Sequence, residues 1–265
     1  MKKSKISTDP NKGDTLVIGN GETGAALAEV LRAAHRVWVI DRRLHKLSGE
    51  KGEMKEIDVM HVCIPPSSSF EATVRFYQEQ YKPKYTVIHA SVPIGTSRRL
   101  GAFHSPIRGV HPKLAAGIRT FTKYLAPIDG WLATYFESAG VHVKQVEKPE
   151  TTEALKLWDT TYYGWNIVFQ KLLHEWCKEH GVDFDTIYTE GNTSYNEGYR
   201  KLGRPEVVRP VLRHMEGGIG GHCVMENLEL FKSPIGEFIK QQNDRFKVQT
   251  MQKAARKDRR VTRSR

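Results

Sequence analysis

The sequence predicts an α/β fold: a doubly wound, mostly parallel sheet, followed by a smaller all-α domain with a long central helix. Three observations carry this. Short apolar runs alternate with helical patterns from residue 14 to residue 148. The first run, TLVIGN, stops at a glycine-rich turn that opens a helix. From residue 149 the strand signals cease, and Glu150 to His180 contains no proline and a single glycine, Gly164.

The elements follow in order. Residues 1–13 are charged, lack the apolar segment of a secretory signal, and read as a flexible N-terminus. Thr15–Asn20 is a buried-type strand, and GETGAALAEVLRAAH then places Ala26, Leu27, Val30 and Leu31 at helical spacing. RVWVID (36–41) is a second strand that ends in an acid. VMHVCIPP (59–66) is a third, stopped by two prolines. FEATVRFYQEQY (70–81) is a helix and YTVIHASVP (85–93) a fourth strand. IRGVHP (107–112) and VHVKQV (141–146) read as further strands, with a helix near 129–139 between them. This domain spans 14–148. In the second, 149–240, Leu155, Trp158, Tyr162, Trp165, Val168, Phe169, Leu172, Leu173 and Trp176 spread over more than one helix face, so the helix must be covered on several sides. A homodimer built on residues 150–180 is the expected assembly, and Gly181 supplies the helix stop.

Composition narrows the class. At 265 residues and 39% hydrophobic, the chain can bury a real core, and no apolar run is long enough to span a membrane. Three cysteines, Cys63, Cys177 and Cys223, are too few and too odd for a disulfide framework, which points to a reducing cytoplasm. No cysteine–histidine spacing matches a structural zinc site, so no metal is expected. The net charge is +11, but residues 241–265 hold nine Lys/Arg against two aspartates. That basic tail, poor in large apolar residues, reads as a frayed solubilising segment with at most weak contact to a polyanion. The body is not a basic nucleic-acid module.

Gly19-Asn20-Gly21-Glu22-Thr23-Gly24 is a GxGxxG that follows a strand and opens a helix, and Asp41 closes the next strand. This is the dinucleotide-binding pattern of Rossmann-type sheets. Gly19 permits the tight turn, Gly21 lets the backbone approach a pyrophosphate, and Gly24 allows close helix–strand packing. The phosphates then face N–H groups at the helix start, while Asp41 accepts hydrogen bonds from ribose hydroxyls. Asp41 would repel a ribose 2′-phosphate, which favours NAD; Arg42 and Arg43 pull the other way. Pro65 and Ser91, at the ends of the third and fourth strands, complete the expected cofactor contacts.

Later segments carry a resemblance. ASVPIGT (90–96), EALKL (153–157) with NIVFQKLLHEWCKEHGVD (166–183), and GGIGGHC (217–223) occur in that order. They resemble signature segments of the UDP-glucose/UDP-N-acetylmannosamine dehydrogenase family, within the 6-phosphogluconate-dehydrogenase-like superfamily. The similarity covers most of residues 14–230. It implies an NAD domain, a helical dimerisation domain, and two-step oxidation of an alcohol to a carboxylate. By the resemblance, Cys223 takes the place of the nucleophile that traps the aldehyde as a thiohemiacetal, and Lys156 that of the lysine that steadies the oxyanion. Several positions depart from the family. Ser91 stands for a threonine, Ser105-Pro106-Ile107 for Ser-Pro-Glu, Thr160 for an asparagine, and Asn227 for the aspartate that activates water. The 42 residues after Cys223 leave no room for the family's nucleotide-holding third domain.

Three readings stay open at this point. The first is a nucleotide-sugar-dehydrogenase-like enzyme, shortened to two domains, that acts on an anionic alcohol through Cys223 and Lys156. In the second, His111 of the GVHP turn (109–112), which resembles that of prephenate-dehydrogenase-type enzymes, serves a two-electron oxidation of a hydroxy acid. The third is a non-catalytic NAD-binding scaffold whose tail docks on a polyanion. Beside the glycine loop, His214 with Arg209 and Arg213 forms a cluster able to hold an anionic group.

Overall fold

The computed structural model describes residues 14–41, 46–48, 53–54, 56–109, 112–220 and 223–263. The chain divides into two compact units, with the boundary between Lys156 and Leu157.

Unit 1 is a six-stranded sheet in the order β3-β2-β1-β4-β5-β6. Its strands are β1 (Asp14–Ile18), β2 (Arg36–Asp41), β3 (Lys46–Ser48), β4 (Ile57–Val62), β5 (Tyr85–Ile88) and β6 (Phe103–His104). All neighbours pair parallel except β3, which runs antiparallel to β2. Helices α1 (Glu22–Leu31), α2 (Phe70–Tyr81) and the short α3 (Thr96–Arg99) make the connections. Alternation along the strands builds two cores. Val17, Val59 and Val87 face one layer, with Leu27 and Leu31 of α1. Leu16, Ile18, Met60, Val62 and Ile88 face the other, with Phe70 and Val74 of α2. The strand order reverses between β1 and β4, which is where doubly wound sheets bind ligands, beyond the strands' carboxyl ends.

After β6 the chain departs from the expected pattern. Residues 107–109 are not a strand, and 110–111 lie outside the described residues. Helix α4 (Leu114–Thr120) follows. The segment 141–146 does contain a strand, β8 (Val143–Gln145), but it pairs with β7 (Lys123–Leu125) in a separate two-stranded parallel sheet. Helix α5 (Gly130–Ser138) stands where expected, and the Asp129 carboxylate caps it by accepting from Leu132 N–H at 2.8 Å.

Helix α6 (Pro149–His180) begins in unit 1. Unit 2 adds a π-helical turn (Asp185–Glu190), α7 (Gly191–Lys201), α8 (Cys223–Leu228) and α9 (Pro234–Arg263). The basic tail therefore does not fray where expected: its backbone continues α9. Ile239, Asn243 and Phe246, spaced for one helix face, are at most 4% exposed and bind the start of the tail to the core of unit 2, with Val168 and Val224. The long helix is not covered on every side either. Trp158, Tyr162, Trp165, Phe169 and Trp176 remain 39–61% exposed.

Candidate active site

The glycine turn is built as the motif requires. Gly19 has φ +98°, and a Cβ there would come within 3.0 Å of the Cys63 carbonyl oxygen. Its N–H donates to Ile40 O at 2.8 Å, which ties the turn to β2. Gly24 cannot carry a side chain, because an added Cβ would sit 1.8 Å from Gly19 O. Gly21 differs: among the described residues a Cβ there would meet nothing within 4 Å, so none of them requires this glycine. Asn20, Gly21 and Glu22 are exposed and Thr23 half-buried, so the turn opens to solvent on the side where a pyrophosphate would approach. The Asn20 N–H donates to Asp41 Oδ2 at 2.7 Å, fixing that carboxylate beside the turn. Pro65 is exposed just beyond β4 and Ser91 half-buried just beyond β5, both on the carboxyl edge. Arg42 and Arg43 lie outside the described residues.

The Ser91–Thr96 segment is held against the first turns of α6. Glu153, 1% exposed, accepts from Gly95 N–H at 2.5 Å and Ser97 N–H at 2.8 Å, so its carboxylate caps α3. His104 bridges Thr152 Oγ1 (2.8 Å) and Ala90 O (3.2 Å). Lys156, one turn beyond Thr152 and Glu153, donates to Ile107 O at 2.9 Å. Where the family resemblance expects a glutamate, the backbone carbonyl of Ile107 thus receives the ammonium.

Beneath this edge runs a buried polar chain that the periodicity gave no reason to expect. Thr15 Oγ1 lies 2.6 Å from Tyr135 OH, Tyr135 OH 3.0 Å from His61 Nε2, and His61 Nδ1 2.9 Å from His89 Nε2. His89 Nδ1 is 2.6 Å from Ser105 O, to which Lys123 Nζ donates at 3.0 Å. Burial, together with the Lys123 charge, holds both imidazoles well below their ordinary pKa. Burial brings Lys123 down to about 7, and it drives the Cys63 thiol, just beyond β4, up to about 12. Cys63 is therefore an inert thiol, as expected for a core position, and Cys177 is 1% exposed.

In unit 2, Cys223 is exposed and opens α8. Asn227, one turn on and 5% exposed, donates from Nδ2 to Thr160 Oγ1 at 3.0 Å. The two positions that depart from the family's asparagine and aspartate are thus partners of each other. The loop before Cys223 leans on α9: a Cβ on Gly218 would come within 2.8 Å of Asn243 Oδ1, and Ile219 N–H donates to that same oxygen at 2.6 Å. Packing alone accounts for a glycine at 218. His111 and His222 lie outside the described residues. The Arg209 guanidinium lies 3.4 Å over the Tyr195 ring. Among the described residues no cluster of metal ligands occurs, and no helix is long and apolar enough to cross a membrane.

No family model matches the chain, and no curated protein matches it. Solved structures do. The UDP-D-ManNAc dehydrogenase of Pyrococcus horikoshii superposes with a TM-score of 0.71 at 16% identity, over 88% of this chain and 68% of that one. The 3-hydroxyisobutyrate dehydrogenase of Mycobacterium tuberculosis gives 0.65 at 13%, over 89% and 94%. The NDP-N-acetyl-D-galactosaminuronic acid dehydrogenase of Methanosarcina mazei gives 0.64 at 17%, over 94% and 69%. At these identities the likeness establishes what the chains share in fold, a Rossmann-type sheet followed by a helical region.

Proposed function

We propose that this chain is an NAD-dependent oxidoreductase that oxidises an alcohol on a small anionic substrate. The observation that carries the reading is the glycine turn. Gly24 and Gly19 are demanded by packing, whereas Gly21 faces open space at the strand-order reversal, beside a carboxylate positioned by Asn20. A pyrophosphate is the group that makes sense of a bare backbone there. Gly19 to Gly24 would hold it, Asp41 would receive the ribose hydroxyls, and Pro65 and Ser91 would border the nicotinamide half. When bound, the dinucleotide supplies the hydride acceptor.

The chain's own groups supply the rest. Lys156, already donating to a carbonyl oxygen, is the cation assigned to steady a developing alkoxide. Cys223 is the assigned nucleophile: its sulfur adds to the aldehyde carbon, and the carbonyl oxygen takes up a proton as the thiol gives one up. Only loss of a second hydride to the dinucleotide, with the hydroxyl proton leaving to solvent, would turn this thiohemiacetal into an acyl-sulfur bond. Hydrolysis of the resulting acyl-sulfur bond would need a base to activate water. Asn227 offers none, and its amide is engaged by Thr160. That hydrogen bond favours a second reading, in which oxidation stops after one hydride. The exposed aromatic stripe on α6, whose members Trp158, Tyr162, Trp165, Phe169 and Trp176 follow a 4-3-4-7 spacing, is the surface assigned to a homodimer.

The test is stoichiometry. With an active alcohol from a panel of anionic sugars and hydroxy acids, two NADH per substrate, and a stall after the first in Cys223→Ser, support the thioester route. One NADH and a fully active Cys223→Ser variant leave the two-electron reading. Failure of the protein to bind NAD at all would remove both.

A further inference from the structure

Unit 2 contains a hollow of about 450 Å³ to which the chemistry above gives no task. That size is within the range of small-molecule pockets. Its walls come from three directions: the carboxyl-terminal half of α6, the π-helical turn, and the segment leading to the glycine loop.

Three features of these walls point to a ligand. The first is the π-helical turn itself, which sets Asp185 and Thr189 into the hollow; π turns sacrifice regular hydrogen bonding and recur at functional sites. Second, His174 and His214 stack at 3.7 Å and 18°, and Phe184 meets both edge-on, at 5.0 Å and 5.9 Å. This is a rigid aromatic wall, and a second hollow of about 50 Å³ opens against the same two histidines. Third, the hollow carries one charge of each sign, Arg213 and Asp185.

The two charges define the ligand. A guanidinium recruits a carboxylate, and a carboxylate lining the same hollow rejects a second negative charge while accepting a hydroxyl or ammonium proton. We propose that this hollow is a binding site for a small hydroxy or amino monocarboxylate: its carboxylate on Arg213, its hydroxyl or ammonium on Asp185, and its carbon body against Phe184 and Leu212. The site lies wholly within unit 2 and is independent of the dinucleotide reading.

The experiment is a titration of the full chain, without NAD, with L-lactate, L-alanine and inorganic phosphate, followed through the histidine ring signals by NMR. Lactate or alanine shifts the His214 and His174 signals saturably, and phosphate binds more weakly. Arg213→Gln, at an exposed position, weakens the monocarboxylate about tenfold or more with no change in thermal midpoint. Asp185→Asn weakens alanine and strengthens phosphate. The proposal is overturned if neither monocarboxylate gives a saturable shift, if phosphate binds as well as lactate, or if Arg213→Gln binds like the wild type.

Discussion

Replacing Lys123 by methionine should change how the stability of this protein depends on pH. Lys123 is 4% exposed, and burial brings its pKa from 10.5 to about 7. The sign follows from proton counting. Between those two values the unfolded chain holds a proton on Lys123 that the folded chain has released, so stability rises with pH across the interval. From pH 7.5 to pH 9, the linkage amounts to about 2 kcal/mol in favour of the folded state at the higher pH. The window is chosen with the neighbours in mind. His61 and His89, held well below their ordinary range, cost stability only as pH falls through about 6.5, where the unfolded chain takes up protons they refuse. Cys63, at about 12, begins to cost stability above about pH 8, as the unfolded thiol ionises, and takes back about 0.5 kcal/mol by pH 9. Methionine has a similar length and no titration. It leaves Ser105 O with a remaining partner, His89 Nδ1 at 2.6 Å. The assay is urea unfolding at pH 7.5, 8.2 and 9.0. Fluorescence of Trp38 and Trp131 reports on unit 1 once the tryptophans of unit 2 have been replaced by phenylalanine. The wild type gains about 1.5 kcal/mol across the series and Lys123→Met gains none. A flat wild-type profile, or an unchanged slope in the variant, refutes the reasoning.

Three further outcomes are expected. Gly24→Ala pushes a methyl into Gly19 O and should cost about 1–3 kcal/mol or more, whereas Gly21→Ala should melt like the wild type yet bind NAD at least about tenfold more weakly; calorimetry and thermal melts separate the two. Glu153→Ala removes the acceptor for Gly95 N–H and Ser97 N–H, at about 1–3 kcal/mol for each donor left buried without a partner, and amide exchange at residues 95–97 should speed up. Gly164→Ala places a methyl 2.7 Å from Val224 Cγ1, so it should destabilise unit 2 by about 1–3 kcal/mol and raise the alkylation rate of Cys223 on the neighbouring helix; an unchanged melt would show that α8 yields freely.

The amino-acid order alone determined the parts of this protein whose signal is local. Apolar runs, a glycine turn that only glycine can make, and an acid at the end of the next strand specify β1, α1, β2 and the dinucleotide turn. Proline-free helical spacing specifies α6. Each is set by residues within a few positions of one another. Tertiary structure decided the rest. Strands of three residues, such as β7 and β8, have no period to detect, and that β8 pairs with β7 rather than with the main sheet is not written in composition. The tail joined α9 because three residues on one face found the core of unit 2, an event that charge counting ignores. Glu153 reads in sequence as one more charge on a long helix, and Lys123 as a lysine beside a tyrosine. Only burial made the first a cap and the second an amine near neutrality, because desolvation and hydrogen-bond geometry depend on what lies across space rather than along the chain.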